Sequence, residues 1–515
     1  MSTAFTALLY VLIIAAAIFH FAKPLALRFS TEADYLRRRN VWFVLTITAF
    51  LSPSFWLFAL VAAPLLAWAG RKDSSPAALY LLLMQVIPDT PVQIPAVGIN
   101  EIFPLTLYRL LSFCVLIPAA WRLRKAGVHN SARRFTAIDW LVLSFGALQL
   151  VLYVPPDLPG HVILHNSATN VVRQALLFYI DVYLVYFVIS RSCSTPQAVG
   201  EAMASFCLAC GVLAPLAIFE SVRHWLLYLA INANWGIPVW VSAYLSRGNA
   251  LRAQVTTGHA IVLGYLLAVA IGFWLYLSSG VRSLLTRFAG TALLVGGLLV
   301  TYSRGPWLGA IVIFFTFTAL RPRAFSKTFK AAMAALLLGW LLSFTAIGER
   351  VLNSLPFIGA AAESESAAYR QRLAERSWQL IQEHPFFGDQ LAYQKMEDLR
   401  QGEHIIDLVN TYAEVGLFYG VVGLTLFVAP ALLVLLGLIR QTRRLRDQNS
   451  ELALLGNTLA ACMLGTLVVI ATCSFGLAIV KLFYALLGLG VAFSALAAAN
   501  SKVLATAGRE VLEQR

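Results

Sequence analysis

Arg304 stands in TYSRGPWLGA (301–310), between two apolar runs with almost no loop to carry it. Gly305 suits a tight turn there, and Pro306 suits the first turn of the helix that follows. A guanidinium held in this way can grip a phosphate through two parallel hydrogen bonds. Arg173, Arg247 and Arg252 occupy similar places at the edges of apolar runs. Charge in a membrane bundle is costly and usually functional, although a lone arginine at a helix end can also snorkel to lipid headgroups. Arg370, Arg372 and Arg376 lie on AAYRQRLAERSWQLIQEHPFFGD, which reads as an amphipathic helix stopped by Pro385 and Gly388. Arg372 and Arg376 are four apart and share a face. Three arginines on one short helix fit acidic side chains, lipid phosphates or an anionic substrate, and a solvated face is the plainer reading.

A possible base lies just downstream. In GEHIIDLVNTYAEVGLFYGVVGL, a helical register sets His404, Asp407, Thr411 and Glu414 at offsets 0, 3, 7 and 10, one face of a 3.6-residue period. A carboxylate can orient an imidazole that takes a proton from an attacking hydroxyl, or Asp407 or Glu414 can be the base itself. The bland alternative is an interfacial helix with its polar side toward headgroups. His259, beside Gly258, reads more readily as a packing or hydrogen-bonding residue than as a catalytic one.

These residues need something to hold them. The chain has 515 residues, 59% of them hydrophobic and only 12% charged, about half the charge of an average soluble protein. Apolar runs long enough to span a bilayer as helices recur from end to end. Lipid admits only helices or closed barrels, and the runs lack the two-residue alternation of barrel strands. The reading is an all-α polytopic membrane protein of about 12–15 transmembrane helices, a single membrane domain over 1–515. One large extracytoplasmic loop, about 348–407, is its only long polar passage. The run 41–69, broken at Ser52-Pro53, reads as two short spans. Others fall near 4–22, 77–91, 102–120, 137–154, 170–190, 200–219, 258–278, 284–301, 306–320, 329–347, 412–438, 453–471 and 475–499. Most Lys and Arg fall in alternate short loops, including ALRFSTEADYLRRRN and WRLRKAGVHNSARR, which the positive-inside rule puts in the cytoplasm.

This distribution of the +14 net charge speaks against nucleic acid. The N-terminus has no basic region ahead of its apolar run, so a cleaved signal peptide is not expected. None of the six cysteines lies in the long loop, so no structural disulfide is expected there. The Cys207–Cys210 pair, within FCLACGVLAPLAIF, reads as small-residue packing. No metal-ligand spacing, Walker motif or GxGxxG is present, so neither metal, nucleotide nor other cofactor is expected.

Arginines at the lip of a lipid-embedded bundle, with a base nearby, suit a sugar donor linked to a lipid diphosphate. They would neutralise the diphosphate as it leaves, while the base activates an acceptor hydroxyl. The chain resembles the O-antigen ligase and Wzy-type polymerase superfamily. The resemblance rests on TYSRGPWLGA, RQRLAERSWQLIQEHPFFGD (370–389) and VNTYAEVGLFYGVVGL (409–424), in that order around one large loop, with RAQVTTGHAIVLGY (252–265) adding to it. It implies a metal-independent glycosyltransferase of the bacterial inner membrane. Its substrate would be an undecaprenyl-diphosphate-linked glycan. Its surroundings would be membrane lipids, a flippase, and chain-length or export proteins. Arg304 matches the arginine of the family's SRG turn, and Arg370 the one opening the loop helix. Ligases of this family usually begin the third motif with His-Asn. Here the pair is Val409-Asn410, which resembles exopolysaccharide polymerases and favours polymerisation into exopolysaccharide or capsule. A ligase acting on a lipid or protein acceptor, and a transporter or flippase, are the alternatives. A transporter would more often show repeated halves and charged or broken helices near mid-membrane.

Overall fold

The computed structural model describes residues 3–94, 102–126, 135–153, 168–237, 251–321, 364–400, 408–474 and 476–513, with residue 406 and short pieces within 244–250 and 326–345. The expected span at 329–347 lies largely outside them, as do His404 and Asp407. Among the described residues, eight helices are long and apolar enough to cross a membrane, and three shorter apolar helices accompany them. The chain is an all-α polytopic membrane protein.

The first half is built from α1 (Thr3–Ala26), α2 (Glu32–Leu51), α3 (Phe55–Lys72), α4 (Pro76–Leu83), α5 (Leu107–Leu111), α6 (Ile117–Ala126), α7 (Ala137–Tyr153), α8 (Ala168–Phe178), α9 (Leu184–Ser192), α10 (Pro196–Arg223) and the short α11 (Leu229–Asn234). Two two-residue hairpins, β1–β2 (Val92–Gln93 with Pro104–Leu105) and β3–β4 (Ser246–Arg247 with Ala250–Leu251), are the strands described. The second half holds α12 (Ala260–Leu277), α13 (Leu284–Leu299), α14 (Arg304–Ala319), α15 (Ser364–Glu383), α16 (Thr411–Leu445), α17 (Ser450–Ile470) and α18 (Leu477–Glu513). Helices α10, α12 and α17 form the centre, each with about four fifths of its apolar window buried.

The 41–69 run does turn at Ser52-Pro53. Ser52 caps α2, and the Ser54 hydroxyl accepts the Leu57 N–H to start α3. Two expectations change. The run 77–91 holds only the eight-residue α4, buried on every side, so it is a core element and no independent span. Arg37, Arg38 and Arg39 are not loop residues, because Thr31 caps α2 just after Ser30 and the helix carries them. Arg38 is buried, pairing with Asp73 at 2.6 Å and Glu201 at 2.8 Å.

Further charges sit inside the bundle. Arg191 pairs with Asp139 at 2.6 Å. Asp181 takes Arg109 at 2.8 Å on one oxygen and Lys481 at 2.8 Å on the other. Lys481 is 1% exposed and Arg109 and Asp181 are buried with it, so this trio lies almost wholly out of water. Two of the three segments that carry it contain a π-helical turn, Ser112–Leu116 and Tyr179–Tyr183, and the Ser112 hydroxyl donates to the Ile180 carbonyl between them. π-turns inside helices are rare and re-aim side chains. Besides the charge in its loops, the bundle therefore holds ionic pairs within. The six cysteines are free, and Cys207 and Cys210 point their thiols at carbonyls of α12, as packing residues do.

Candidate functional site

Three of the four non-glycine residues described with positive φ lie in the three turns that the motifs mark: Val255 (49°), Tyr302 (47°) and Val409 (48°). A β-branched or bulky residue in this region is strained, and such strain persists only where the surroundings over-determine it, commonly at functional sites. The surroundings are visible at the turns of Val255 and Tyr302. Buried Glu220 accepts the backbone N–H groups of Leu227, Gln254 and Val255 at 2.9–3.1 Å. Ala253 N–H donates to Val300 O. Arg252 donates to Thr301 O at 3.2 Å and to Ser303 Oγ at 2.9 Å, and Trp307 Nε1 to Leu298 O at 3.0 Å. Arg252 thus positions the SRG turn from the side.

Arg304 is the first residue of α14, after Ser303 at the cap. The left-handed residue of the turn is Tyr302 rather than Gly305, which corrects the role expected for that glycine. Gly305 is required for close approach, since a Cβ there would overlap the Thr472 hydroxyl. One residue on, the Cys473 carbonyl accepts the Thr411 hydroxyl at 2.8 Å. The SRG turn and the start of α16 therefore meet on either side of Thr472–Cys473, the turn between α17 and α18.

Helix α16 begins at Thr411, with Asn410 Oδ1 accepting from Tyr412 and Ala413 N–H at 3.0 and 3.2 Å. Residues 408–410 are not helical and Val409 is left-handed. The continuous helical face expected for residues 404, 407, 411 and 414 is thereby corrected: Asn410 starts a new helix, and only Thr411 and Glu414 share it. Glu414 lines a cleft of about 410 Å³ with Gln149, Tyr153, Gln174, Gln390 and Tyr484 among its neighbours, within the size class of small-ligand sites. Arg304 is not in that lining. Gln149 and Gln174 are amides inside apolar helices, and the sequence signal for them is the presence of polar residues at intramembrane positions. The Thr472–Cys473 turn carried no such signal.

The loop helix α15 buries Leu373, Ser377 and Leu380 and leaves Arg370 and Arg372 exposed. Its core includes Ala392, Met396, Leu399 and Leu417. Arg376 donates to Gln379 Oε1 and Lys395 O, within the loop. Arg173 donates to Ile102 O at 2.6 Å. Arg247 lies in β3, with its side chain outside the described residues. His259 is exposed at the cap of α12. Thus Arg304 and Arg252 come together, with Glu414 one turn beyond the residue that joins them to α16. Arg370 and Arg376 ride on the loop.

The loop enters the bundle through a break. At Gly420 (φ 62°, ψ −165°) α16 leaves helical geometry. The freed N–H groups of Val421 and Val422 donate to Pro385 O and Phe386 O, and Asp389 N–H donates to Leu417 O at 2.8 Å. Non-helical backbone at membrane depth is tolerated only when so satisfied. Gly420→Ala combines a left-handed backbone with a Cβ driven into the Phe386 backbone. We expect it to undock the loop, at a cost above that of the conformation alone, about 1–3 kcal/mol, visible as faster proteolysis near Phe386.

Burial would raise the Asp389 carboxyl, but Lys395 at 2.7 Å, the Leu391 N–H and nearby His384 hold it below the usual carboxylate value. A depressed folded-state value stabilises above the unfolded pKa of about 3.9 and loses that stabilisation as pH falls through the folded value. Proteolysis of the loop by an acid-active protease should therefore be flat from pH 7 to about 5 and rise below about 4. Asp389→Asn should abolish the pH dependence.

Residues 289–428 match the O-antigen ligase family. The matched span runs from α13 through the SRG turn and the loop to the broken part of α16. It supports the resemblance to the O-antigen ligase and Wzy-type superfamily, and with it a membrane glycan-transfer activity of ligase or polymerase kind. No curated protein matches the chain.

Proposed function

We propose that this chain polymerises undecaprenyl-diphosphate-linked oligosaccharide repeat units into exopolysaccharide or capsule, on the extracytoplasmic side of a bacterial inner membrane and without metal or nucleotide. The observation that carries the reading is the meeting of the Arg304 turn and the Glu414 helix across Thr472–Cys473, in a chain whose 289–428 span matches a glycan-transferring family.

In this reading Arg304 faces the diphosphate of the donor, with Arg252 positioning its turn and Arg370 and Arg376 drawing the anion in from the loop. Arg173 and Arg247 lie on flanking elements and add positive charge. The acceptor hydroxyl attacks the anomeric carbon. A new C–O bond forms, the bond to the diphosphate oxygen breaks, and both electrons leave with undecaprenyl diphosphate. The acceptor proton goes to Glu414, the described carboxylate in the cleft, with His404 and Asp407 as the other bases considered. A guanidinium beside the leaving group is worth most as charge develops there, in the transition state. Membrane lipid, a flippase and chain-length or export proteins are the surroundings that the resemblance implies for such an enzyme.

The test is turnover of a purified, lipid-reconstituted protein given one defined repeat unit. Glu414→Gln should lower the yield of longer products about 10²–10⁴-fold, the range for loss of a general base, with donor binding retained. Transfer of a single glycan to a different lipid acceptor would instead establish the ligase, despite Val409.

A further inference from the structure

At the end of the bundle opposite Arg304 a second cavity opens, of about 580 Å³. Helix α14 alone separates the two ends by about 24 Å at 1.5 Å per residue. Arg28, Arg321 and Arg446 line this cavity, with Tyr276, Glu451 and Asn457 between them. The first turn of α17 also faces it. Three cations meet one carboxylate, and among the described residues none of these arginines has a carboxylate within ion-pair distance.

The cavity is held in shape. The Arg28 guanidinium lies against the backbone of Gly280, where a Cβ would displace it. Arg446 Nη2 donates to the Leu320 carbonyl at 2.7 Å, which fixes the arginine over the end of α14. Asn457 is 5% exposed, and its Nδ2 reaches the same carbonyl at 3.4 Å while its Oδ1, in the cavity wall, has no partner. A buried acceptor left unmade is costly. Phe29, Leu277 and Leu454 complete the wall on the apolar side. Arginines and a helix N-terminus attract a phosphate, while Asn457 Oδ1 and Glu451 call for hydroxyl donors beside it.

We propose that this cavity binds a glycerophosphate group, as carried by phosphatidylglycerol or by a soluble glycerol phosphate. The face is the one that the positive-inside pattern puts in the cytoplasm. Anionic headgroups are concentrated there, and basic pockets between helices bind them. The site is separate from the transfer chemistry, so its occupancy and the activity can fail independently.

The experiment is native mass spectrometry of the full chain released from nanodiscs of equal phosphatidylglycerol and phosphatidylcholine. One phosphatidylglycerol should be retained in preference. Arg28→Gln and Arg446→Gln should each lower retention about tenfold, the loss of one charge-assisted hydrogen bond. Arg28→Lys should retain more than Arg28→Gln, and Arg282→Gln, on the same face but outside the cavity, should match wild type. Both arginines are exposed, so folding is preserved, and melting temperature checks it. Loss of the bound lipid to millimolar glycerol 1-phosphate identifies the soluble ester as an occupant, and resistance to it identifies the lipid. Equal retention of the two lipids, or unchanged retention in both glutamine variants, overturns the proposal.

Discussion

Replacing Arg304 with alanine should lower product formation about 10²–10³-fold, the loss expected when one preorganised donor to a developing anion is removed, and leave the bundle folded. The guanidinium sits on the first turn of α14, at a turn fixed by Arg252, Trp307 and the close approach of Gly305 to Thr472. None of those contacts runs through the Arg304 side chain, so the alanine variant keeps them. Arg304→Lys keeps the charge but not the planar fork, and should fall between wild type and alanine. Arg252→Ala should act differently, because it loosens the turn: activity falls together with melting temperature. The check is the rate of glycan transfer beside thermal unfolding for all three variants. Full activity in Arg304→Ala would remove the arginine from the site.

Asp181→Ala should have the largest effect on stability, about 3–5 kcal/mol, as expected when one partner of a buried ionic group is removed. Arg109 and Lys481 would then face each other without the carboxylate that both bind. Asp89 is the other carboxylate that acts on both cations and offsets part of the loss, while Lys481 already lies over the Tyr108 ring at 5.0 Å and Gln85 is bonded to the Tyr108 hydroxyl. Replacing Asp181 by Asn together with Lys481 by Met removes one charge of each sign and should recover most of the loss. Urea-assisted thermal unfolding in one detergent measures both. Asp181→Ala melting with wild type would show that the trio contributes nothing to the fold.

The helical scaffold was legible because lipid imposes it: long apolar runs have one backbone solution, and Ser52-Pro53 marked its break openly. Arg109, Asp181 and Lys481 were also in plain view, in LYRLL, YIDVY and IVKLF, but their pairing was not. Asp181 lies 72 residues from one partner and 300 from the other, and no local period reports a contact of that range. The π-turns that aim them have no spacing signature either. Around the site, the SRG and VNTY stretches were readable as motifs, while the geometry joining them passes through Thr472 and Cys473, two small residues in a turn without charge. The helical register that would unite His404 with Glu414 is interrupted for a local reason: Asn410 is a good N-cap, and the helix carrying Glu414 starts there. Gly420 looked like one glycine among several in an apolar run. Its break shows only against the loop backbone that fills it.

The most direct test of the account is to supply the purified protein, in lipid and with EDTA present, with a single undecaprenyl-diphosphate-linked repeat unit. Long products and released undecaprenyl diphosphate are then counted together. The expected result is a ladder, one undecaprenyl diphosphate released per new linkage, and loss of both in Arg304→Ala. Movement of the intact donor across the bilayer, with no product longer than one repeat and no released diphosphate, would contradict it and make the chain a transporter.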